Sequence, residues 1–142
     1  AELNLADKEQ TLSMDFEPNL SVFADKDMIA VVLRNLVFNA IKFSVKGSAI
    51  YLKAYQTGSN VRVDVIDSGI GIAEESIKNL FAIDKNTIIQ GTEGETGTGL
   101  GLVLCKEFIE KNDGQIWVKS KLGEGSVFSF ILPVGGIVKG KS

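Results

Sequence analysis

Residues 11–16 alternate, with Leu12, Met14 and Phe16 on one side, which is the period of a half-buried strand. Pro18-Asn19 breaks the run, and Asp25 is a good N-cap for a helix starting at Lys26. Over 26–45 the period lengthens to that of a helix, with Ile29, Val32, Leu33, Leu36, Ala40 and Ile41 on the apolar face and Gly47 as its C′ residue. Alternation returns over 49–56 and 61–66, two strands joined by a hairpin turn at Thr57-Gly58-Ser59-Asn60. Residues 74–81 form a short helix. Residues 84–96 are polar, contain Gly91 and Gly94, show no period, and read as a functional loop. A second amphipathic helix spans 100–111 and closes at Asn112-Asp113-Gly114. Two last strands, 115–120 and 126–132, meet at Gly123-Glu124-Gly125, and Pro133 stops the second. Residues 1–8 read as a polar connector entering from an N-terminal partner, and 134–142 as a tail.

This order predicts an α/β (α+β) two-layer sandwich: one mixed sheet with helices on one face. The 142 residues suit one domain with its own core. Net charge is −3 with both signs interspersed, so no basic stripe argues for nucleic acid or a membrane surface. No apolar stretch approaches the length of a membrane span. A single cysteine, Cys105, excludes an internal disulfide and reads as a packed thiol. Trp117, Phe128 and Phe130 alternate on strands and are expected in the core; Glu107, Glu110 and Lys111 read as solvated helix surface. Histidine is absent, which removes the commonest general base and metal ligand.

Three constellations carry chemistry. Asn35, Asn39 and Lys42 are spaced four and three apart and fall in one line on the first helix. A solvated polar stripe gives the same spacing, but asparagine is a poor helix former. Its amide oxygen suits Mg²⁺ that also holds phosphates, and a lysine suits the phosphates themselves. Asp67-Ser68-Gly69-Ile70-Gly71 follows a strand. There a carboxylate can accept from an exocyclic amine while glycines let backbone approach a base, which favours adenine over guanine. Gly97-Thr98-Gly99-Leu100-Gly101-Leu102 opens the second long helix, where free amides and the helix dipole favour anions. It is neither a Walker loop nor the dinucleotide fingerprint. Each motif alone is weak or moderate; together, in this order, they indicate an ATP-binding domain.

These residues resemble the catalytic ATP-binding domain of two-component sensor histidine kinases, in the wider group of gyrase, Hsp90 and MutL. The likeness covers about 11–133 and implies the Bergerat-type fold. Asn35 to Ser44 looks like the N box, Asp67 to Gly71 the G1 box and Gly97 to Leu102 the G2 box. By resemblance, Asn39 ligates Mg²⁺, Asn35 supports metal and phosphates, and Lys42 meets phosphate. Phe43 packs near base or ribose, and Ile72 and Leu104 wall the base pocket. Asp67 binds the adenine amine directly and through water, with Ser126 nearby. Gly97, Thr98, Gly99, Leu100 and Gly101 wrap the triphosphate, under a lid at about 84–98. The F box departs from the pattern: Phe81 is kept, Ile83 stands at the second phenylalanine place, and Lys85 supplies the basic residue.

ATP-hydrolysing relatives carry a glutamate one helical turn before the metal-binding asparagine. Asn35 stands there, and an amide cannot take a proton at neutral pH. The resemblance therefore implies transfer of the γ-phosphoryl to a histidine outside this chain. That histidine lies on a dimerisation domain of the same parent, and the phosphoryl passes onward to a response-regulator receiver domain. The expected setting is the cytoplasmic side of a membrane-anchored sensor, with no direct membrane contact by this domain. Three alternatives stay open: an ATPase or chaperone-like module, a nucleotide-sensing module without transfer, and a serine-directed kinase of the anti-sigma type.

Overall fold

The computed structural model describes residues 2–5, 10–44, 47–81, 89–90, 96–97 and 100–135, with backbone alone for 2–5, 89–90, 96–97 and 100. Along the chain run β1 (Glu2–Leu5), β2 (Gln10–Phe16), α1 (Lys26–Phe43), β3 (Ala49–Thr57), β4 (Asn60–Asp67) and α2 (Glu74–Ile77). They are followed by β5 (Ile89–Gln90), β6 (Thr96–Gly97), α3 (Leu100–Lys111), β7 (Gln115–Lys121) and β8 (Gly125–Pro133). Six strands form one sheet in the order β1-β2-β3-β4-β8-β7; β2–β3 is its parallel pair and the other neighbours are antiparallel. Both long helices pack on one face, so the two-layer expectation holds.

Registry explains the core. Met14, Leu52, Val65, Phe128 and Val118 are successive cross-strand partners, and Val32, Leu36 and Ala40 of α1 with Leu102, Cys105 and Ile109 of α3 cover them. The next row toward the sheet end reads Leu12, Ile50, Asp67, Ser126, Ser120. Its last three members place polar groups on the helix-covered face, where burial without a partner is costly.

Among the described residues neither long helix packs on the other face. There Asp64 is buried and accepts from Ser129 Oγ (2.6 Å), Arg62 Nε (2.9 Å) and Tyr55 OH (3.0 Å). Trp117 pairs with Ser129 and so lies on this side, half-buried, with the Arg62 guanidinium 5.1 Å from its ring centroid. The core assignment is right for Phe128 and Phe130, but Trp117 is one residue out of phase with Val118 and Ile116, which do face the core.

Helix α1 begins where Asp25 Oδ1 accepts the amides of Asp27 (2.9 Å) and Met28 (3.1 Å). It ends at Phe43, short of the predicted residue 45, with Ser44 extended. The reason is tertiary: the Phe43 carbonyl accepts the amide of Ile70 (3.1 Å), and the chain leaves the helix there. Gly47 (φ +81°) therefore serves the turn into β3 and is not the C′ residue of α1. Helix α3 ends as predicted. Asp113 takes φ +63°, the Gly114 amide bonds the Ile109 carbonyl (2.9 Å), and a side chain on Gly114 would strike the Ile131 carbonyl.

Other boundaries also differ from the sequence reading: α2 ends at Ile77, short of the predicted residue 81. Residues 2–5, expected as connector, form β1, which pairs antiparallel with β2 at the edge of the sheet. Short ribbon strands β5 and β6 lie within the predicted lid. Val134 bridges Val22 and its amide bonds the Ser59 carbonyl (2.9 Å), so the folded unit passes the expected end at Pro133.

The helices are antiparallel and fastened at one end. Asn112 is buried; its Oδ1 accepts the Asp25 amide (2.7 Å) and its Nδ2 donates to the Phe108 carbonyl (2.7 Å). Asn112→Ala leaves the part-buried Asp25 amide without this acceptor and is expected to cost about 2 kcal/mol, read as a lower urea midpoint at unchanged m-value. Cys105 is fully buried and its thiol is pushed up to about 12 by burial. Iodoacetamide at pH 8 is expected to leave the folded chain unmodified and to alkylate it in urea; rapid native alkylation would contradict this packing.

Candidate functional site

Asp67 is the last residue of β4 and 3% exposed. Its Oδ1 accepts the Gly69 amide (2.9 Å), while Oδ2 is buried with no hydrogen-bond partner. Burial pushes the carboxyl above its ordinary value of 3.8, against the lowering effect of the Gly69 and Ser126 amides. A buried, half-satisfied carboxylate of this kind is a strong acceptor held ready for a donor.

The glycines beside it have a packing reason that sequence reading did not supply. A Cβ on Gly69 would lie 2.0 Å from the Phe43 carbonyl oxygen, and one on Gly71 (φ +75°) 2.1 Å from that of Lys121. Gly125 (φ +85°) would bring a Cβ within 2.2 Å of the Asp67 carbonyl oxygen. The turn after β4 is thus clasped between the end of α1 and the β7–β8 turn, whose Gly123 amide bonds the Ile70 carbonyl (2.8 Å). The Asp67 carboxyl is aimed by this clasp.

Ser126 is the direct cross-strand partner of Asp67 and equally buried, as the sequence reading placed it. Ile72 is buried in the core cluster, and its amide donates to Ser120 Oγ (2.8 Å). Leu104 is half-buried on α3. Phe43 is buried beside the clasp but outside the main core cluster, with Lys42 Nζ 4.9 Å over its ring centroid. Lys42 itself is only 5% exposed; the ring face gives its ammonium an electrostatic neighbour.

On α1, Asn39 is buried and Asn35 half-buried. Asn35 Nδ2 donates back to the Val31 carbonyl (3.0 Å), which fixes the amide and turns its oxygen outward. That oxygen stands 2.9 Å from where a Cβ of Gly101 would sit, so a side chain at 101 would require the Asn35 amide to shift, and glycine lets the first turn of α3 lie against it as it stands. The N-box and G2 positions therefore meet face to face. Gly97 is in β6, paired with Ile89, and Leu100 is the first residue of α3. Lys85, Thr98 and Gly99 lie outside the described residues.

Ser120 was missed by sequence reading. Its Oγ contacts Ser126 Oγ (2.7 Å) and the Gly125 carbonyl (2.8 Å) as well as Ile72. The signal available was positional: Ser120 and Ser126 flank the Gly123/Gly125 turn and fall on one row with Asp67 once the hairpin register is drawn. Among the described residues no group of three or more His, Cys, Asp or Glu is arranged to hold a metal. The amide oxygens of Asn35 and Asn39 fit a cation that takes most of its remaining ligands from phosphate and water.

Residues 24–136 match the family described as histidine kinase-, DNA gyrase B- and HSP90-like ATPase. The adaptive-response sensory kinase SasA of Crocosphaera subtropica is 40% identical over 132 residues, covering 92% of this chain and 34% of its own length. The chain thus spans about a third of the curated relatives it matches. The nucleotide-free catalytic domain of histidine kinase ThkA superposes with TM-score 0.70 at 34% identity, covering 86% of this chain and 78% of that one. Full-length ShkA in complex with AMPPNP gives TM-score 0.75 at 26% identity, over 93% of this chain and 27% of ShkA. The clasped carboxylate, the asparagine stripe and the glycine-opened helix agree with this likeness, and the chain belongs to the histidine kinase-, gyrase B- and HSP90-like ATPases, as the ATP-binding domain of a histidine kinase.

Proposed function

We propose that this chain binds Mg²⁺-ATP and delivers the γ-phosphoryl to a histidine on a dimerisation domain of the same parent, for onward transfer to a response-regulator receiver domain. The observation that carries the reading is the buried, unpartnered Oδ2 of Asp67 at the end of β4. It accepts from the adenine N6 amine; Phe43, Ile72 and Leu104 enclose the base. Lys42 and the first turn of α3 from Gly101 onward meet the phosphates, with Gly97, Thr98, Gly99, Leu100 and Lys85 contributing from the G2 and lid segment.

Asn39, supported by Asn35, would hold Mg²⁺, which neutralises phosphate charge when bound. The chain's own contribution is positioning and exclusion of water. The bond from the γ-phosphorus to the bridging oxygen breaks, a bond to the imidazole nitrogen forms, and ADP leaves. Asn35 supports transfer over hydrolysis, because its amide is committed to Val31 and cannot serve as base for water. The parent is read as a membrane-anchored sensor with this domain on its cytoplasmic side.

Asp67→Asn is expected to weaken Mg²⁺-ATP binding about 10- to 100-fold by calorimetry, the size of one hydrogen bond to a charged group. The folded-state pKa of Asp67 is raised, so its contribution to stability falls as pH rises from 3.8 through that higher value. The variant is therefore expected to be at least as stable as the parent at pH 7, which separates lost binding from lost fold. Nucleotide affinity of the unsubstituted chain is expected to drop as pH is lowered through the same raised value, where the acceptor becomes protonated. Unchanged ATP affinity in Asp67→Asn would refute the site.

The chain alone, lacking histidine, is expected to form no phosphohistidine with ATP. Mixed with its histidine-bearing domain it is expected to give an acid-labile phosphoprotein. An acid-stable product would point to a hydroxyl acceptor, and rapid ATP turnover by the chain alone to a hydrolase.

A further inference from the structure

Three polar groups converge on the hydroxyl of Ser120. Its Oγ lies 2.8 Å from the Ile72 amide nitrogen, 2.8 Å from the Gly125 carbonyl oxygen and 2.7 Å from Ser126 Oγ. A hydroxyl has one proton and two lone pairs. The Ile72 N–H takes one lone pair. A carbonyl oxygen can only accept, so Gly125 takes the proton. The remaining contact then closes one way: Ser126 donates into the second lone pair of Ser120. With its single proton committed, the Ser126 hydroxyl faces any further neighbour as an acceptor.

That neighbour is set by the sheet. Ser126 and Asp67 are direct β4–β8 partners on the helix-covered face, each 3% exposed. Side chains so placed have Cβ atoms about 4.5–5.5 Å apart. The end of the sheet therefore carries two acceptors side by side, Asp67 Oδ2 and Ser126 Oγ. Adjacent acceptors welcome an amino group, which has two protons, and repel a keto oxygen.

We infer that Ser120 is a positioning residue for base selection: it fixes the Ser126 proton away from the base, so that the floor reads a 6-amino purine and rejects a 6-keto purine. This rests on the nucleotide reading above and adds to it the residue that sets the base preference. Without the Ser120 hydroxyl, the Ser126 proton is free to turn toward Asp67 or toward a keto oxygen, and the preference relaxes.

The test is the ratio of Mg²⁺-ATP to Mg²⁺-ITP affinity by calorimetry on this chain, a ratio insensitive to the fraction folded. Ser120→Ala is expected to lower the ratio about tenfold, the size of one neutral hydrogen bond. Ser120→Thr, which keeps the hydroxyl, is expected to hold it. Ser120→Ala/Ser126→Ala is expected to match Ser126→Ala alone, because Ser120 acts through Ser126. Should Ser120→Ala not fold, Ser120→Cys replaces it, a thiol being a weak partner for all three groups, and the same comparison decides. A wild-type ratio in the Ser120 variant overturns the inference while leaving ATP binding intact. Absence of ATP binding by the unsubstituted chain overturns both this inference and the nucleotide reading.

Discussion

The contact on which the site depends is between backbones: the Phe43 carbonyl at the end of α1 and the Ile70 amide in the turn after β4. It lies where the helix ends, and it ties the helix that carries Asn35, Asn39 and Lys42 to the turn that follows Asp67. The approach is so close that a methyl group on Gly69 has no space. A helix and a strand far apart in sequence thus meet through atoms that every residue has, and side chains are excluded from the junction. What the glycines secure first is the joint between layers; any contact with a base comes after that.

Strand β4 carries two buried carboxylates three residues apart, on opposite faces of the sheet, with opposite electrostatics. For Asp64, burial is outweighed by hydrogen bonds from Ser129, Arg62 and Tyr55, and the carboxyl is held below its ordinary value. For Asp67, burial prevails over two backbone amides and the carboxyl is raised. The first is a satisfied structural anion whose stabilisation is present above pH 3.8 and lost as pH falls through its lower folded value. The second keeps an unmet demand for a donor. The pair shows how one alternating strand supplies both fixation and recognition.

Much of this was legible in the chain. Strands β2, β3, β4, β7 and β8 and both long helices follow from periodicity; the asparagine stripe could be placed by its helical spacing, and the two glycine motifs because each sits at an element end. What escaped was whatever depends on registry. Trp117 looked like core because its alternation is sound but its phase is set by pairing with β8. The helix end at Phe43 is decided by Ile70, distant in sequence. Residues 2–5 join the sheet by pairing with β2, which so short a run does not announce by itself. Ser120 is one serine among several until the hairpin places it on the row of Asp67. Hydrophobic pattern fixes which elements exist; cross-strand partners, invisible to it, fix which polar atoms converge.

Helices α1 and α3 touch along a line marked by Asn35 with Gly101, the Val32 carbonyl with Cys105 Sγ, and Met28 with Asn112. One end is bolted by Asn112 to the cap of α1, and at the other Asn35 meets Gly101. In lever terms the fulcrum of this pair is the Asp25–Asn112 fastening, and the longest arm ends at Asn35 and Gly101.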